Sequence, residues 1–295
     1  MRAVDPDFER SFALVTGGGT GIGYAIARGL ARAGVGVVLA ARDGARLESA
    51  VRDLREDPLV PASTPIAARA VDVTDARGVA AMGREVEVLA ASLDRTVDLV
   101  VANAGEVEVH GVLDAAPDAL GGDVYERMLD VCFRGAVRTA EAFLPAMVER
   151  GRGLVVQVCS AAGLRAFDGI AAYTSAKHAQ LGWSRAAALE LAPRGVHVAA
   201  LCPYYVRGEM LERAARGMAQ DESIEVDAAR DAFRSRNPGG ALVEPERIAD
   251  ETLRLFGAAL LEAPEPVCRV VVLDGGPPRA PDPTRDRTPP TEATP

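Results

Sequence analysis

A tyrosine and a lysine in the stretch "DGIAAYTSAKHAQLGW" have the spacing and the chemistry of a proton-transfer pair. Tyr173 and Lys177 are four residues apart, so they share one face of a helix. A tyrosine with its ordinary pKa of about 10 ionises little at neutral pH, and a nearby ammonium favours the phenolate. The pair indicates an acid–base centre or, since this spacing is common in helices, an ordinary surface pair.

Ser160 lies thirteen residues before Tyr173, at the end of the apolar stretch "GLVVQVCS". Alone, a serine there is more often a cap for the turn after a strand. Beside Tyr173 and Lys177, its hydroxyl would bind a substrate oxygen and orient it for proton transfer. Such a set suits ketone reduction, in which Tyr173 gives a proton to oxygen, or the reverse oxidation, in which it takes one. We predict that these three residues are catalytic.

A glycine-rich turn, "TGGGTGIG" (16–23), follows the first apolar run and precedes the first helical pattern. Small residues let backbone N–H groups approach a pyrophosphate at a helix N-terminus. A glycine pattern alone is compatible with a merely flexible turn, but this placement favours a dinucleotide site. The residues that we predict to contact the cofactor here are Gly17, Gly19, Thr20, Gly21, Ile22 and Gly23.

The end of the second apolar run bears on the choice of cofactor. NAD sites carry an acidic residue about 20 residues after the glycine turn, which binds the ribose hydroxyls. Here the run ends in Ala41, Arg42 and Asp43. Arg42 can pair with a 2′-phosphate through two hydrogen bonds, which predicts NADP(H) over NAD(H). Two alternatives stay open: Asp43 itself faces the ribose, or Arg42 is an ordinary solvated charge.

Short valine-rich runs alternate with longer helical patterns along the chain. Apolar runs occupy 12–17, 35–41, 67–73, 97–105, 153–160, 196–203 and 269–276, and helix-length segments include 22–33, 44–56, 123–150 and 172–192. Runs that are apolar throughout are typical of strands buried on both faces of a parallel sheet. Repeated βα units predict an α/β fold with a doubly wound parallel sheet and helices on both faces.

The same pattern predicts one domain, from 11 to 276, after an N-terminal extension at 1–10. Within it, 205–240 is a long segment in which "EMLERAARGMAQ" (209–220) reads as an amphipathic helix, and we interpret the segment as a substrate lid. Ordinary packing is the alternative for these residues. The proline-rich stretch 277–295 has almost nothing apolar, so we expect a disordered tail.

Composition narrows the classes of function. The formal charge of −9 gives no general surface for tracking phosphates, so we expect no nucleic-acid partner. No apolar run reaches the about 18 residues that span a bilayer, and the N-terminus lacks an export signal. The three histidines fit no zinc spacing. Scattered cysteines without a Cys-x-x-Cys pair are interpreted as reduced thiols of a cytoplasmic protein. The cysteines are Cys132, Cys159, Cys202 and Cys268.

Taken in order, these features resemble the short-chain dehydrogenase/reductase family over about 11–276. The residues that carry the resemblance are "TGGGTGIG" (16–23), "DV" (72–73), "NAG" (103–105), Ser160, Tyr173 and Lys177. The family implies a Rossmann-type sheet of about seven strands, a nicotinamide cofactor and a homodimer or homotetramer. It also implies an adenine contact by Asp72 and Val73, and a lysine that holds the nicotinamide ribose.

The family further implies that 103–105 line the cofactor and that the loop after the sixth strand covers the nicotinamide. Beyond the glycine turn and Arg42, the resemblance assigns to the cofactor Asp72, Val73, Asn103, Ala104, Gly105, Tyr173, Lys177, Pro203 and Val206.

The chain departs from the family pattern at several positions. Cys132 stands where the family usually has an asparagine, and Ala102 replaces the first asparagine of the family's "NNAG". In "CPYYVRGEM", Tyr204 replaces a glycine, and Gly208 replaces a threonine that contacts the carboxamide. The two tyrosines of this loop offer a stacking surface for an aromatic substrate. The loop 106–122 is longer than the family's, and we expect it to wall the other side of the pocket.

The sequence therefore predicts an NADPH-dependent oxidoreductase that reduces a ketone carried by a small molecule, or oxidises a secondary alcohol. A composition rich in Ala, Arg and Gly gives the hypothesis of tailoring a polyketide-like or aromatic metabolite. One rival is a non-redox enzyme on the same fold, for dehydration or cyclisation. The other rival is a cofactor-binding protein without turnover, which would need neither Ser160 nor the Tyr173–Lys177 pair.

Overall fold

A parallel β-sheet with helices on both faces organises the chain. The computed structural model describes residues 6–113 and 122–277. The strands are β1 (Ser11–Thr16), β2 (Gly36–Ala41), β3 (Ile66–Ala70), β4 (Thr96–Ala102), β5 (Gly153–Val158), β6 (Val196–Pro203) and β7 (Arg269–Leu273). They form one sheet in the order β3-β2-β1-β4-β5-β6-β7, and all neighbours are parallel. The predicted fold class is confirmed.

One helix precedes β1, and the others connect successive strands. They are α1 (Pro6–Arg10), α2 (Gly21–Arg32), α3 (Gly44–Glu56), α4 (Ala76–Ser92), α5 (Gly122–Leu129), α6 (Gly135–Glu141), α7 (Leu144–Arg150), α8 (Ala171–Leu191), α9 (Glu209–Glu222), α10 (Val226–Arg236) and α11 (Pro245–Leu261). The chain reverses its direction of winding between β1 and β4. That reversal opens a crevice at the carboxyl ends of the strands, where ligands of such sheets bind.

Alternating side chains of the central strands supply the cores on the two faces. In β1, Ala13 and Val15 pack into the cluster under α2, α3 and α11, whereas Phe12 and Leu14 pack into the cluster under α4 and α7. All four side chains are fully buried. Burial on both faces explains why the strand is apolar without alternation, because neither side meets water.

The segment 123–150 is not the single helix that its length predicts. It is broken into α5, a π-helical turn at Asp130–Arg134, α6 and α7. Pro145 lies in the first turn of α7, where its missing N–H costs nothing, so a new helix begins there. A side chain at Gly135 would lie 2.7 Å from the Val73 side chain, so this part of the segment packs close to the loop after β3.

Some predicted features fall outside the described residues. These include 1–5 of the predicted extension, 114–121 of the long loop and 278–295 of the predicted tail. The described part of the extension forms α1, and Phe8 stacks on Phe256 at 5.4 Å between ring centres. Within 6–113 and 122–277, no helix combines the length and the apolar character needed to cross a membrane.

Candidate active site

The predicted catalytic residues meet at the carboxyl edge of the sheet. Ser160 follows β5, and Tyr173 and Lys177 lie in the first two turns of α8. The Ser160 side chain hydrogen-bonds the Tyr173 side chain, and Lys177 Nζ lies 5.6 Å from the centre of the tyrosine ring. Ser160 Oγ also accepts a 3.1 Å hydrogen bond from the Ala162 N–H. The serine therefore caps the turn after β5 and contacts the tyrosine as well.

Burial dominates the protonation of the tyrosine. Burial raises the pKa of Tyr173 above its ordinary value, while the Lys177 charge and the Ser160 hydrogen bond act to lower it. Lys177 thus favours the phenolate, as expected. The expectation that the pKa of Tyr173 falls overall is wrong, because a buried phenolate loses its hydration. Burial also acts to lower the pKa of Lys177, but Tyr173 and the three thiols Cys132, Cys159 and Cys202 together outweigh burial, so the lysine pKa is raised. At neutral pH the pair is a phenol and an ammonium.

Two buried glutamines that the sequence analysis missed extend this pair. Lys177 is 3% exposed and donates to the Val158 carbonyl at 3.0 Å and to Gln180 Oε1 at 2.9 Å. Gln180 Nε2 in turn donates to Gln157 Oε1 at 2.8 Å. Gln157, a polar residue inside an apolar strand, is the feature of the sequence that could have indicated this network. Gln180 lies three residues after Lys177, on the same helix face.

Cys132 lies in the π-helical turn beside this network. Its side chain is fully buried, and its Sγ donates to the Glu106 carbonyl at 3.3 Å. A Cβ on Gly105 would lie 3.7 Å from this sulfur and 3.8 Å from Lys177 Nζ. The thiol therefore takes the place next to the lysine where the family has an asparagine, and it ties the turn to the loop after β4.

The glycine turn connects β1 to α2 and is closed by the residues that follow β4. Thr16 Oγ1 accepts hydrogen bonds from the N–H groups of Asn103 and Ala104, at 3.0 and 3.1 Å, and Asn103 Nδ2 donates to the Thr16 carbonyl at 2.9 Å. A Cβ on Gly23 would lie 2.2 Å from the Gly17 carbonyl oxygen and 2.6 Å from Asn103 Nδ2. Only glycine fits there. The sequence did not indicate the clamping role of Thr16.

The outer side of this turn is open. Gly21 has a φ of +53°, and a Cβ there would meet nothing within 4 Å. Thr20 precedes α2 without a side-chain cap, so the N–H groups of the first helical turn stay available to an anion. Gly19 lies beside α3, since a Cβ built on it would be 3.7 Å from Arg46 Cβ. Ile22 packs against the core. This cradle fits a pyrophosphate.

Arg42 and Asp43, the two charged residues that follow β2, have different environments. Asp43 caps α3, because its side chain accepts a 3.1 Å hydrogen bond from the Arg46 N–H. That carboxylate is therefore engaged, which disfavours the alternative that it binds the ribose. The Arg42 side chain is 66% exposed and lies 3.9 Å from Glu106 across the crevice. It is free to turn toward a phosphate.

The predicted adenine contacts differ in character. Asp72 Oδ1 accepts from the N–H and hydroxyl of Thr74, at 2.9 and 2.8 Å. Burial acts to raise the pKa of Asp72, but the Thr74 hydrogen bonds and the Arg42 charge outweigh it and lower the pKa. Val73 is 7% exposed, and its side chain packs toward Gly135 rather than outward. Their role toward adenine stays a prediction.

The loop after β6 is tied down on both sides. Pro203 pairs with Leu273 at the end of the strand, and Val206 bridges Val243. Gly208 precedes α9 with φ +153° and ψ −178°, a region that only glycine enters without strain. The replacement of the family's threonine therefore goes with a different backbone path, and a carboxamide contact at this position is not available from its side chain.

Four rings form an aromatic shelf beside this loop: Phe167, Tyr204, Tyr205 and Phe233. Phe167 meets Tyr204 and Tyr205 edge to face at 6.2 and 6.3 Å, and Tyr205 lies 5.0 Å from Phe233 of α10. Asn237, 2% exposed, accepts from the Tyr205 N–H at 3.0 Å and donates to its carbonyl at 2.9 Å. The two tyrosines therefore lie in a cluster of rings, and their role as a stacking surface for a substrate stays a prediction. The sequence did not indicate Phe167, Phe233 or Asn237.

The segment predicted as a lid contains α9 and α10, which pack on each other. Leu211 is buried between them and Met218 is partly buried, but Met210 is 44% exposed. Arg46 Nη1 lies 3.2 Å from Glu209, so the start of α9 touches α3 near the glycine turn. The role of 205–240 as a lid stays a prediction.

A cavity of about 360 Å³ adjoins the start of α8. One wall comes from 110–113 and the other from 167–171, and His110 joins them by a 2.7 Å hydrogen bond from its N–H to the Gly169 carbonyl. The described half of the long loop therefore walls a space at the start of α8. Its role as a wall of the substrate pocket stays a prediction. Among the described residues, no group of three His, Cys, Asp or Glu side chains is placed to hold a metal ion.

Comparisons with known proteins show the family of the chain. Residues 11–219 match the family model for short chain dehydrogenases, and the chain belongs to that family. It is an oxidoreductase of the NAD(P)-dependent dehydrogenase/reductase class. A relative in Streptomyces coelicolor, named "Putative ketoacyl reductase", is 32% identical over 251 residues, 84% of this chain and 91% of that protein.

Two solved structures are similar over most of their length. A single-substitution variant of the actinorhodin polyketide ketoreductase, with NADPH, has a TM-score of 0.77 and 28% identity, covering 90% of this chain and 97% of that one. The L-sorbose reductase of Gluconobacter frateurii, complexed with NADPH and L-sorbose, has a TM-score of 0.77 and 25% identity, covering 92% and 98%. Both are reductases that share the sheet and its crevice.

Proposed function

We propose that the protein uses NADPH to reduce the ketone of a polyketide-like or aromatic small molecule, or catalyses the reverse oxidation. The observation that carries the proposal is the meeting of Ser160, Tyr173 and Lys177 at the sheet edge that also holds the glycine turn. Separate segments of the chain bring a proton donor and a dinucleotide cradle to one crevice. A protein that only binds a cofactor needs no such donor.

Tyr173 gives its phenolic proton to the carbonyl oxygen. Its raised pKa keeps that proton in place at neutral pH until a substrate arrives. Ser160, which hydrogen-bonds the tyrosine, holds the carbonyl oxygen close to the phenol. Lys177 stabilises the phenolate that forms, because its ammonium lies beside the ring and stays charged. The glutamines fix the ammonium in place through the 2.9 Å hydrogen bond to Gln180.

The cofactor supplies hydride to the carbonyl carbon when it is bound. The N–H groups at the start of α2 hold its pyrophosphate, and Asn103 and Thr16 keep the adjoining turn in shape. Arg42 binds the 2′-phosphate, since Asp43 is engaged as a helix cap and Arg42 is exposed at the crevice. The NADPH of the two similar reductases supports the same choice.

The pocket favours a flat and partly apolar ketone. We place the body of the substrate between the cavity at the start of α8 and the aromatic shelf, because Phe167 belongs to both and aromatic rings stack on such surfaces. The polyketide ketoreductase of similar fold supports this substrate class. Sugars, by contrast, need many hydrogen-bonding side chains, and the shelf offers mainly rings.

The test is a spectrophotometric assay of NADPH oxidation at 340 nm with a panel of aromatic bicyclic and simple aliphatic ketones. We expect turnover of the aromatic ketones and its loss in Tyr173→Phe. Reduction of only the aliphatic ketones would overturn the substrate class. Product formation without NADPH oxidation would favour the non-redox rival, which the altered backbone at Gly208 motivates. NADPH binding without turnover of any ketone would favour a cofactor-binding protein.

The same proposal covers the organisation of the chain. The catalytic domain is 11–276, with 1–10 as an extension and 277–295 as a tail, and 205–240 closes over the substrate. Four buried free cysteines support a reducing, cytoplasmic location. The family resemblance supports a homodimer or homotetramer, which light scattering coupled to size-exclusion chromatography would distinguish from a monomer.

A further inference from the structure

An arginine lies on the aromatic shelf next to the catalytic loop. Arg165 follows Ser160 by five residues and is exposed. Its guanidinium carbon lies 4.6 Å from the centre of the Phe167 ring and 5.5 Å from that of Tyr204. A planar guanidinium stacks on rings in this way, whereas a lysine ammonium does not. The contact fixes a positive charge at the rim of the candidate pocket.

The shelf beneath this charge is rigid. Tyr204 donates its N–H to the Leu273 carbonyl at 2.8 Å, and Asn237 holds the Tyr205 backbone by two hydrogen bonds. Phe167 packs against both tyrosines and also lines the cavity beside α8. Arg165 is thus pre-positioned, and a ligand need not meet the full cost of ordering a long side chain.

The donors of this guanidinium have no partner among the described residues. Within 6–113 and 122–277, no carboxylate lies within ion-pair distance of Arg165, and its side chain makes no hydrogen bond. In a chain with 42 acidic and 33 basic residues, the other crevice arginines, Arg42 and Arg46, each face a carboxylate. Stacking on rings leaves the N–H edge of a guanidinium open to a planar or tetrahedral oxyanion.

We propose that Arg165 binds an oxyanion carried by the ketone substrate, either a carboxylate or a phosphate ester. The proposal rests on the proposed ketone reduction and adds the charge of its substrate. The substrate places its carbonyl between Ser160 and Tyr173, its apolar body in the cavity lined by Phe167, and its anion at the rim. Arg165 is then a specificity residue and takes no part in proton transfer.

The kinetic test compares 4-acetylbenzoate, its neutral methyl ester and 4-acetylphenyl phosphate in wild type and Arg165→Gln. We expect the ratio of kcat/KM for an anionic ketone to that for the ester to fall at least about fivefold in Arg165→Gln, mainly through KM. The larger fall among the two anions identifies the source of the oxyanion. Arg165→Lys keeps the charge but loses the stacking. Its ratio of kcat/KM for an anionic ketone to that for the ester should lie between the ratios of wild type and Arg165→Gln.

Arg194→Gln is the matched control. It makes the same charge change at an exposed arginine beside the amino end of β6, on the opposite edge of the sheet. The ratio should stay at its wild-type value there, and added salt should shrink the wild-type preference. An unchanged ratio in Arg165→Gln, or an equal fall for the anions and the ester, would overturn the proposal.

Calorimetry separates this proposal from the reaction itself. Dissociation constants of the carboxylate and the ester are measured on the NADP⁺ complex of each variant. If wild type reduces none of these ketones, the proposed reaction is called into question while the binding comparison still decides the role of Arg165. The phosphate ester is measured in the same way. Weaker binding of either anion in Arg165→Gln, with equal binding of the neutral ester, supports the proposal, and equal binding of both anions in the two proteins refutes it.

Discussion

At Tyr173, burial and a neighbouring ammonium act on one proton in opposite directions. Burial prevails, so the phenol keeps its proton at neutral pH. That state suits a donor to a carbonyl oxygen, and the charge of Lys177 becomes favourable as the phenolate forms during the transfer. The lysine therefore stabilises the product of proton transfer more than the resting state.

Removing the hydroxyl tests this directly. Tyr173→Phe keeps the ring, which packs beside Ala172 and Cys132, but removes the proton. We expect kcat for ketone reduction to fall by about 10²–10⁴-fold, with a change of less than about threefold in the dissociation constant of NADPH. Stopped-flow assays and fluorescence titration give the two numbers. Turnover near the wild-type level would remove Tyr173 from its role.

The raised pKa also sets a pH profile. Because reduction needs the protonated phenol, kcat/KM should be independent of this group through neutral pH and fall only above about 10. Oxidation of the alcohol needs the phenolate, so its rate should rise over the same range. Initial rates in both directions, buffered at constant ionic strength, check the sign. A reductive loss centred near neutrality would show that Lys177 outweighs burial in the complete complex.

Arg42 governs the cofactor in our proposal. Arg42→Ala should lower the ratio of kcat/KM for NADPH to that for NADH about tenfold or more, since a charge-assisted contact with the 2′-phosphate is lost. Arg52→Ala is the control, because this exposed arginine lies on α3 away from the end of β2. Equal ratios in the Arg42 variant and wild type would contradict the assignment.

Among the elements, the loop into α9 shows how a backbone conformation replaces a side chain. At Gly208, φ is +153°, and any Cβ is strained there whatever the surrounding space. The family's threonine could not adopt this path without cost. The chain instead relies on the Val206–Val243 bridge and on Asn237 to hold the loop and the shelf.

Two glycine substitutions at α9 separate this effect from helix propensity. Gly208→Ala should destabilise the protein by about 1–3 kcal/mol, because alanine must enter a region reserved for glycine. Gly217→Ala, at an exposed position inside α9 with open space around it, should stabilise by about 0.5–1 kcal/mol. Urea unfolding of the two variants measures both. A neutral Gly208→Ala would mean that this backbone path is absent in solution.

At the scale of the whole molecule, the sheet brings distant segments to one edge. Asn103 closes the glycine turn from the loop after β4, and Tyr204 reaches Phe167 from the loop after β6. The strand order explains this, because β1 and β4 are neighbours at the point where the winding reverses. The candidate site is a property of the whole sheet rather than of any single βα unit.

The contacts of the last described residues suggest a truncation test. Gly239 donates to the Asp274 carbonyl at 2.9 Å, and Gly275 lies against Ala241, so the chain is packed up to that point. A protein ending at Pro277 should keep kcat/KM within about twofold and its Tm within about 2 °C. A protein ending at Val267, which lacks β7, should lose cooperative unfolding. A large loss on removal of 278–295 alone would contradict the predicted tail.

Local patterns accounted for the sheet and for most of the candidate site. Strand positions, the glycine turn and the spacing of Tyr173 and Lys177 depend on neighbours in the sequence, and apolar runs and helix periodicity record such neighbours directly. The prediction of a single helix at 123–150 was wrong because it, too, used only neighbours in the sequence. Its periodicity continues across the π-helical turn, which we associate with packing between Gly135 and Val73, far apart in the chain.

Other features depend on contacts that no local pattern contains. The net pKa of Tyr173 depends on the burial that the complete fold imposes, and a sequence shows only the lysine four residues away. Asp43 could be assigned to capping only once α3 was placed, and Arg165 meets Tyr204 only because β5 and β6 are adjacent. Burial and long-range pairing depend on residues from the whole chain, so only the tertiary structure set the electrostatics and the shape of the pocket.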